Sequence, residues 1–524
     1  MQSLSLDNVA KYLGPTLVLN GVSLLVSPRS RIGVVGPNGV GKTTLLRLLA
    51  GIERPDEGRV LRTPDSLRIG YLPQEAHARG AETVLEYLGR RAGTAEAGAE
   101  LEALASGLER DPGLAERYSE ALDRFLGLGG HDLAIRAGAA CLEVGLEAAV
   151  LKRPLRELSG GQASRAALAA LLLSRFDVLL LDEPTNDLDF GGLETLERFL
   201  AETPAGVAVI SHDRAFLDRT VKRIVELDEG TRRAREYAGG WNEYEAERER
   251  ARARAYEAHR RVGAERERLE ARLRDRRVEA RSGGQQANRR GTRALSSKVR
   301  AVERRLELLK DVEKPWEPWR LELGLTPARR TGDTVVRLEN AVVERGDFRL
   351  GPVSLDVGWG DRVAVVGPNG SGKTTLLAAL TGRLPLASGR RVVGPQAEPG
   401  EIDQRRAAFA ADAPLLAAFT RESGLDDLET RTLLAKFGLG VDDVHRAWHS
   451  LSPGERSRAL LALLLARGVN CLVLDEPTNH LDLPAIEELE RALGAFEGTI
   501  VLVTHDRRLL EGFEPTQTVE LQGR

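Results

Sequence analysis

GPNGVGKTT, Gly36 to Thr44, returns later in the chain as GPNGSGKTT, Gly367 to Thr375. Each copy follows a short apolar run, RIGVVG or RVAVVG, and opens a segment of helical character. Read in that setting it is a phosphate-binding loop. Its glycines let backbone N–H groups face a phosphate, and the following helix adds its positive dipole end. One such loop implies a nucleotide. Two in matched settings imply a duplicated nucleotide-binding domain.

The rest of the chain repeats with them. LSGGQ, Leu158 to Gln162, returns as LSPGE, Leu451 to Glu455; LLLDEPTNDLD, Leu179 to Asp189, as LVLDEPTNHLD, Leu472 to Asp482; SHDR at Ser211 as THDR at Thr504. Lys42 pairs with Lys373 and Gln74 with Gln404 at nearly one offset. Ser159, Asp182 and His212 pair with Ser452, Asp475 and His505 at a second, smaller offset common to all three. The change falls between the glutamine and the signature, so the first copy carries an insertion there. It lies within about 77–151, a stretch rich in Ala, Leu and Glu that predicts helix. Continuous apolar strands such as VLLLDE and CLVLDE suit a parallel sheet covered on both faces. The expected fold is α/β, with one nucleotide-binding domain over 1–240, a charged connector over 241–331 and a second domain over 332–524.

Composition narrows the classes. At roughly 150 residues per domain, 524 residues make three or four units. Aromatics are 4%, which argues against a stacking surface for single strands. Two cysteines, Cys141 and Cys471, exclude a disulfide framework or cysteine-rich metal module and fit a reducing cytosol. No apolar run nears the ~18 to 20 residues that span a bilayer, and MQSLSLDNVA has no signal-peptide pattern. A cytoplasmic protein without an integral membrane segment is expected.

The motifs assign chemistry. Lys42 and Lys373 are placed to reach β- and γ-phosphates, and Thr43 and Thr374 to offer a hydroxyl to Mg²⁺. Asp182 and Asp475 end an apolar strand, where they can hold the metal through its water shell. Glu183 and Glu476 follow, facing the other way, where they can orient or deprotonate water. His212 and His505, each followed by Asp-Arg, read as γ-phosphate sensors.

These motifs resemble the ATP-binding cassette superfamily over nearly all of both halves, and LSGGQ makes the resemblance specific. It implies head-to-tail pairing of the two cassettes, with each ATP between one cassette's phosphate loop and the other's signature. The loop contacts would be Gly36, Asn38, Gly39, Gly41, Lys42, Thr43 and Thr44, and Gly367, Asn369, Gly370, Gly372, Lys373, Thr374 and Thr375. Gln74 and Gln404 would join the metal ligands Thr43, Asp182, Thr374 and Asp475. Ser452 and Gly454 would close the first site; Ser159, Gly161 and Gln162 would close the second. Tyr12, upstream of Lys42, stands where the family stacks an aromatic on adenine. The same offset before Lys373 falls on Val343, and the nearest aromatic is Phe348. LSPGE also departs from the pattern, since Pro453 lacks an N–H donor.

The connector is where charge concentrates. Glu245 to Lys314 holds 22 Lys/Arg and 13 Asp/Glu, while the whole chain carries -3. Without that segment the balance is -12, and the whole +9 excess lies within Arg272 to Arg305. Leu295, Val299, Val302, Leu306 and Leu309 step like a coiled-coil seam, and Val262, Leu269 and Leu273 can face them. SGGQQANRRG, Ser282 to Gly291, reads as a turn. The expectation is a long antiparallel α-helical hairpin linker, its first arm about 55 to 60 Å long, with a basic tip suited to a phosphate-lined partner. The candidate RNA contacts are Arg276, Arg277, Arg281, Arg289, Arg290, Arg293, Lys298 and Arg300.

Tandem cassettes, DEPTNHLD-type strand ends and a basic helical connector together resemble the ABC-F family. That resemblance implies a monomer with intramolecular cassette pairing, using ATP and Mg²⁺, that binds the ribosomal E site when closed. It implies contacts with rRNA and P-site tRNA, and a role in elongation or antibiotic protection. Two other readings compete: the energising subunit of an exporter with separate membrane subunits, and a DNA-associated repair-type ATPase.

Overall fold

The protein is described from a computed structural model. It covers residues 2–74, 81–108, 111–158, 160–173, 175–186, 188–282, 300, 303–305, 332–346, 348–402, 412–479 and 481–522, with side chains left undescribed at 160, 276–282 and 453.

The first copy begins with a hairpin, β1 (Ser3–Leu13) and β2 (Thr16–Val26), followed by β3 (Arg31–Val35), which leads to α1 (Lys42–Ala50). β4 (Glu57–Thr63) pairs antiparallel with β1, giving a three-stranded sheet β2-β1-β4. Its inner face alternates: Leu4, Leu6 and Val9 are buried, while Asp7 and Asn8 face water, the period of a half-covered strand.

β5 (Ile69–Leu72) starts the second sheet. Between it and β6 (Val178–Asp182) lie α2 (Val84–Arg91), α3 (Thr94–Leu108), α4 (Ala115–Gly127), α5 (Leu133–Glu143) and α6 (Gly160–Leu173). α7 (Phe190–Glu202), β7 (Gly206–Ile210), α8 (Arg214–Thr220), β8 (Arg223–Leu227) and β9 (Ala234–Ala238) complete the copy. The strand order is β5-β6-β7-β3-β8-β9, parallel except for the antiparallel pair β8-β9. β3, β6 and β7 are buried at every residue, as strands covered on both faces require. That central position puts the C-terminal ends of β3, β6 and β7 side by side, the place where open α/β sheets hold ligands.

The second copy repeats this frame. β10 (Thr334–Arg345), β11 (Phe348–Gly358), β12 (Arg362–Val366), α10 (Lys373–Thr381), β13 (Ser388–Val393) and β14 (Pro399–Ile402) are followed by α11 (Leu415–Ser423), α12 (Asp427–Lys436) and α13 (Pro453–Ala466). Then come β15 (Cys471–Asp475), α14 (Leu483–Ala495), β16 (Thr499–Val503), α15 (Arg507–Phe513) and β17 (Gln517–Glu520). Its sheets run β11-β10-β13 and β14-β15-β16-β12-β17. The second copy steps from α11 to α12 through the short link Gly424 to Asp426. In the first, α3 and α4 stand between α2 and α5 and pack on each other.

Residues 242–318 form a separate compact unit. It holds most of a 42-residue helix, α9 (Trp241–Ser282). Leu269 is buried on it, Val262 and Leu273 are half-buried, and Arg305 Nη2 lies 3.3 Å from Glu265 Oε1. The expected SGGQQANRRG turn, apart from Ser282, and the expected Leu295-to-Leu309 seam lie outside the described residues, and with them most of the expected return arm.

Candidate active site

The phosphate loops take their shape from glycine. Gly41 has φ +113, and a Cβ there would stand 2.6 Å from Val18 Cγ1; Gly372, at φ +100, faces Phe348 Cζ at 2.9 Å in the same way. Backbone of this sign is open to glycine and strained for other residues. Lys42 and Lys373 then start their helices with buried ammonium groups. Lys42 Nζ donates to the carbonyls of Gly36 (2.7 Å) and Pro37 (3.0 Å), and Lys373 Nζ to those of Gly367 (2.8 Å) and Pro368 (3.1 Å). Burial lowers the pKa of both. Glu183, Asp482 and Asp182 act against it at Lys42, and Glu476, Asp189 and Asp475 at Lys373.

The strand ends deliver the acids. Asp182 accepts from the Thr43 hydroxyl at 3.3 Å and from the Tyr71 hydroxyl at 3.2 Å, while burial raises its pKa. Glu183 and Glu476 have φ 51 and 47. This left-handed turn costs about 1 to 3 kcal/mol and swings the second acid away from the first. Each is held by its own N–H, which donates to Ile210 O at 3.0 Å and to Val503 O at 2.9 Å. Burial pushes the Glu183 carboxyl up to about 7. His212 Nε2 lies 3.2 Å from Glu183 Oε1, and His505 Nε2 3.3 Å from Glu476 Oε1. Burial keeps both imidazoles neutral, His212 well below its usual value and His505 down to about 4, with Lys42 and Lys373 adding to the effect. A carboxyl that titrates near neutrality beside an uncharged imidazole is equipped to take or hold a proton.

The two copies meet at their loops. Asp189 caps α7 with one oxygen, accepting Gly192 N–H at 3.0 Å, and accepts Asn369 N–H of the other copy at 2.8 Å with its second. Asp482 does the same, accepting Ala485 N–H at 3.2 Å and Asn38 N–H at 3.1 Å. Each phosphate loop therefore already donates to an anionic oxygen from across the interface. Arg165, on α6, donates to Asn369 O at 3.0 Å, and a Cβ on Gly161 would stand 3.1 Å from the Asn369 side chain. A cavity of about 940 Å³ lies here. Gly161 and Gln162 line it from the first copy, and Asn369, Gly370, Gly372, Lys373, Thr374, Thr375, Asp475, Glu476 and His505 from the second.

The donor set fits a nucleotide with Mg²⁺. Among the described residues, Ser371 Oγ and His212 Nδ1 are buried without a hydrogen-bond partner. Thr43 and Asp182 offer two hard oxygens, and Mg²⁺ takes its remaining ligands from water and phosphate.

Other expected residues fall as follows. Ser452 caps α13 in a capping box with Glu455, Pro453 occupies the first turn, and Gly454 follows. Gln74 is exposed two residues beyond the end of β5. Tyr12 is 44% exposed, its N–H bonded to Asp56 at 2.7 Å. Gly36, Gly39, Gly367 and Gly370 all have positive φ, and the Thr44 and Thr375 side chains are buried behind the loops. Arg276, Arg277 and Arg281 fall on α9, and Arg300 is exposed on a helical residue. Ser159, Gln404, Arg289, Arg290, Arg293 and Lys298 lie outside the described residues. The sequence reading overlooked Asp189, Asp482, Arg165 and Arg345. The two aspartates had a signal, since each ends a matched motif just ahead of a helix. Phe348, noted there only as the nearest aromatic, lines the cavity with Arg345.

The ABC transporter family profile matches residues 19–186 and 350–479. The chain is 37% identical to the Tylosin resistance ATP-binding protein TlrC of Streptomyces fradiae, over 97% of this chain and 96% of that protein. It is 33% identical to the Energy-dependent translational throttle protein EttA of Escherichia coli K12, over 97% and 90%. Among solved structures it resembles the archaeal ribosome recycling factor aABCE1 in its complex with ribosomal stalk protein aP1, with a TM-score of 0.60 and 21% identity over 99% and 88% of the two chains. That likeness concerns the fold.

Proposed function

This chain belongs to the ABC-F family of tandem ATP-binding cassette proteins, and we propose that it is an ATPase that works on the ribosome. It carries two ABC ATPase domains. In this reading each composite site binds ATP with Mg²⁺, using Lys42, Thr43, Gln74 and Asp182 in one and Lys373, Thr374, Gln404 and Asp475 in the other. Glu183 and Glu476 act as the general bases, and His212 and His505 face the γ-phosphate. Binding closes the cassettes on one another, and hydrolysis opens them. The closed monomer occupies the ribosomal E site. Its basic connector, with Arg276 to Arg300 at the tip, extends toward P-site tRNA and the peptidyl-transferase centre. There it tunes elongation or protects the ribosome from an antibiotic.

The observation that carries this reading is the end-to-end match, connector included, to relatives named for translational throttling and for tylosin resistance. The exporter reading needs separate membrane subunits; among the described residues no helix is long and apolar enough to cross a membrane. The test is Glu183→Gln with Glu476→Gln in one chain. This variant is expected to co-sediment with ribosomes in ATP and to be released without it. Sedimentation free of ribosomes, with recovery in the membrane fraction, would overturn the proposal in favour of the exporter.

A further inference from the structure

Several contacts between the copies come in matched pairs, made by equivalent positions on each side. The contact of Phe190 does not. Phe190, the first residue of α7, has Leu483 as its counterpart. The Phe190 ring packs T-shaped against the His505 imidazole of the other copy, with centroids 5.2 Å apart and planes at 80°. The Arg507 guanidinium lies 5.8 Å from the Phe190 centroid and is itself held by Glu197 at 2.5 Å. His505 thus has the carboxylate of Glu476 at 3.3 Å and an aromatic ring from across the interface as neighbours. At the other site His212 faces Glu183, and the position equivalent to Phe190 is the aliphatic Leu483. A leucine fills space, but it has no plane with which to orient a ring.

We infer that Phe190 is a positioning residue for His505, so that the Lys373 site borrows part of its catalytic alignment from the opposite cassette while the Lys42 site does not. Neutral His505 must present one nitrogen toward the cavity, and its ring can turn about χ2 unless something holds the plane. Glu476 stands beside the Nε2 edge of the ring, and Phe190 packs T-shaped against it. Removing the ring frees that rotation, leaving phosphate-loop binding intact and lowering the fraction of bound states aligned for reaction. The inference rests on the reading of His505 as part of an ATPase site.

The test separates the two sites. With Glu183→Gln, turnover reports the Lys373 site, and with Glu476→Gln it reports the Lys42 site. In the first background Phe190→Leu is expected to lower kcat about fivefold, the rate equivalent of one edge-to-face contact. KM for ATP is expected to stay within about twofold, and Phe190→Tyr should restore kcat. In the second background Phe190→Leu should change neither constant. Independently, diethyl pyrocarbonate should modify His505 faster in Phe190→Leu than in the parent chain, with His212 unchanged, as read by peptide mass spectrometry. Equal losses in both backgrounds, or His505 as protected as before, would overturn the inference. A parent chain with no ATPase activity would instead sink the functional reading, and the labelling would still judge Phe190.

Discussion

Arg214 and Glu490 belong to different copies and form a bidentate ion pair: Nη1 donates to Oε2 at 3.1 Å while Nη2 meets Oε1. Arg507, the counterpart of Arg214, and Glu197, the counterpart of Glu490, repeat the pair with the copies exchanged, at 2.5 Å. Arg214 is almost fully buried and Glu490 partly so, so removing one partner strands a charge. Arg214→Gln is expected to destabilise the paired cassettes by about 2 to 3 kcal/mol. Adding Glu490→Gln should recover part of that loss, because the stranded carboxylate is gone. Denaturant midpoints of the two variants, with energy transfer between dyes on the two cassettes, check this. A double variant as weak as the sum of its parts would refute it.

Asp213 and its counterpart Asp506 repel one another beside those pairs. Asp213 caps α8 through Phe216 N–H at 2.9 Å, yet burial, followed by repulsion from Asp506, pushes its pKa up to about 6. An acid raised in this way takes up a proton on folding between about pH 4 and 6. Its charge therefore costs stability above pH 6 and very little below pH 4. Asp213→Asn keeps the cap and removes the charge. It is expected to add about 1 to 2 kcal/mol at pH 7.5, after allowance for solvent screening, and clearly less at pH 4.5. Thermal melts at the two pH values decide it.

Pro453 sits in the first turn of α13, after the Ser452 cap, where its fixed φ suits a helix start and its missing N–H is no loss to the helix. In the proposed function the cost falls on the nucleotide, which finds one donor fewer. Pro453→Gly should raise turnover at the Lys42 site, measured in the Glu476→Gln background, and lower stability by about 0.5 to 1 kcal/mol. Unchanged turnover would remove proline as a source of asymmetry between the sites.

The connector arginines provide a prediction of a different kind. Neutralising Arg289, Arg290 and Arg293 should weaken ribosome or tRNA engagement, with the larger effect at low salt. Binding measured across a salt series checks it, and parallel curves for parent and variant would exclude a contact there.

Much of this site was legible because its chemistry is local in sequence. Lys42 and Thr43 adjoin the glycines that shape their loop, and Asp182 and Glu183 end a strand whose apolar run announces it. What escaped was set by how the copies pair. No periodicity around Asp189 reveals that its second oxygen meets Asn369, 180 residues away. Phe190 and His505 are further apart still. Phe348, which lines the cavity beside Gly372, was hard to place for a local reason. Tyr12 lies on the first strand of its hairpin, whereas Phe348 opens the second strand, paired with Arg345. Counting a fixed offset back from the lysine could not find it. The basic excess of the connector was visible only as charge, once that segment was taken apart from the rest of the chain.

The crossed capping of Asp189 and Asp482 bears on how such a chain can change over time. Each aspartate starts its own helix and also meets the loop of the other copy, so the two halves share one fitted surface. Grafting a single cassette from a relative would leave Phe190, Arg214 or Arg507 facing side chains that did not diverge alongside them. Exchange of both halves together avoids that mismatch. The tandem arrangement thus binds the two cassettes into one heritable unit, and within it each half restricts the drift of the other.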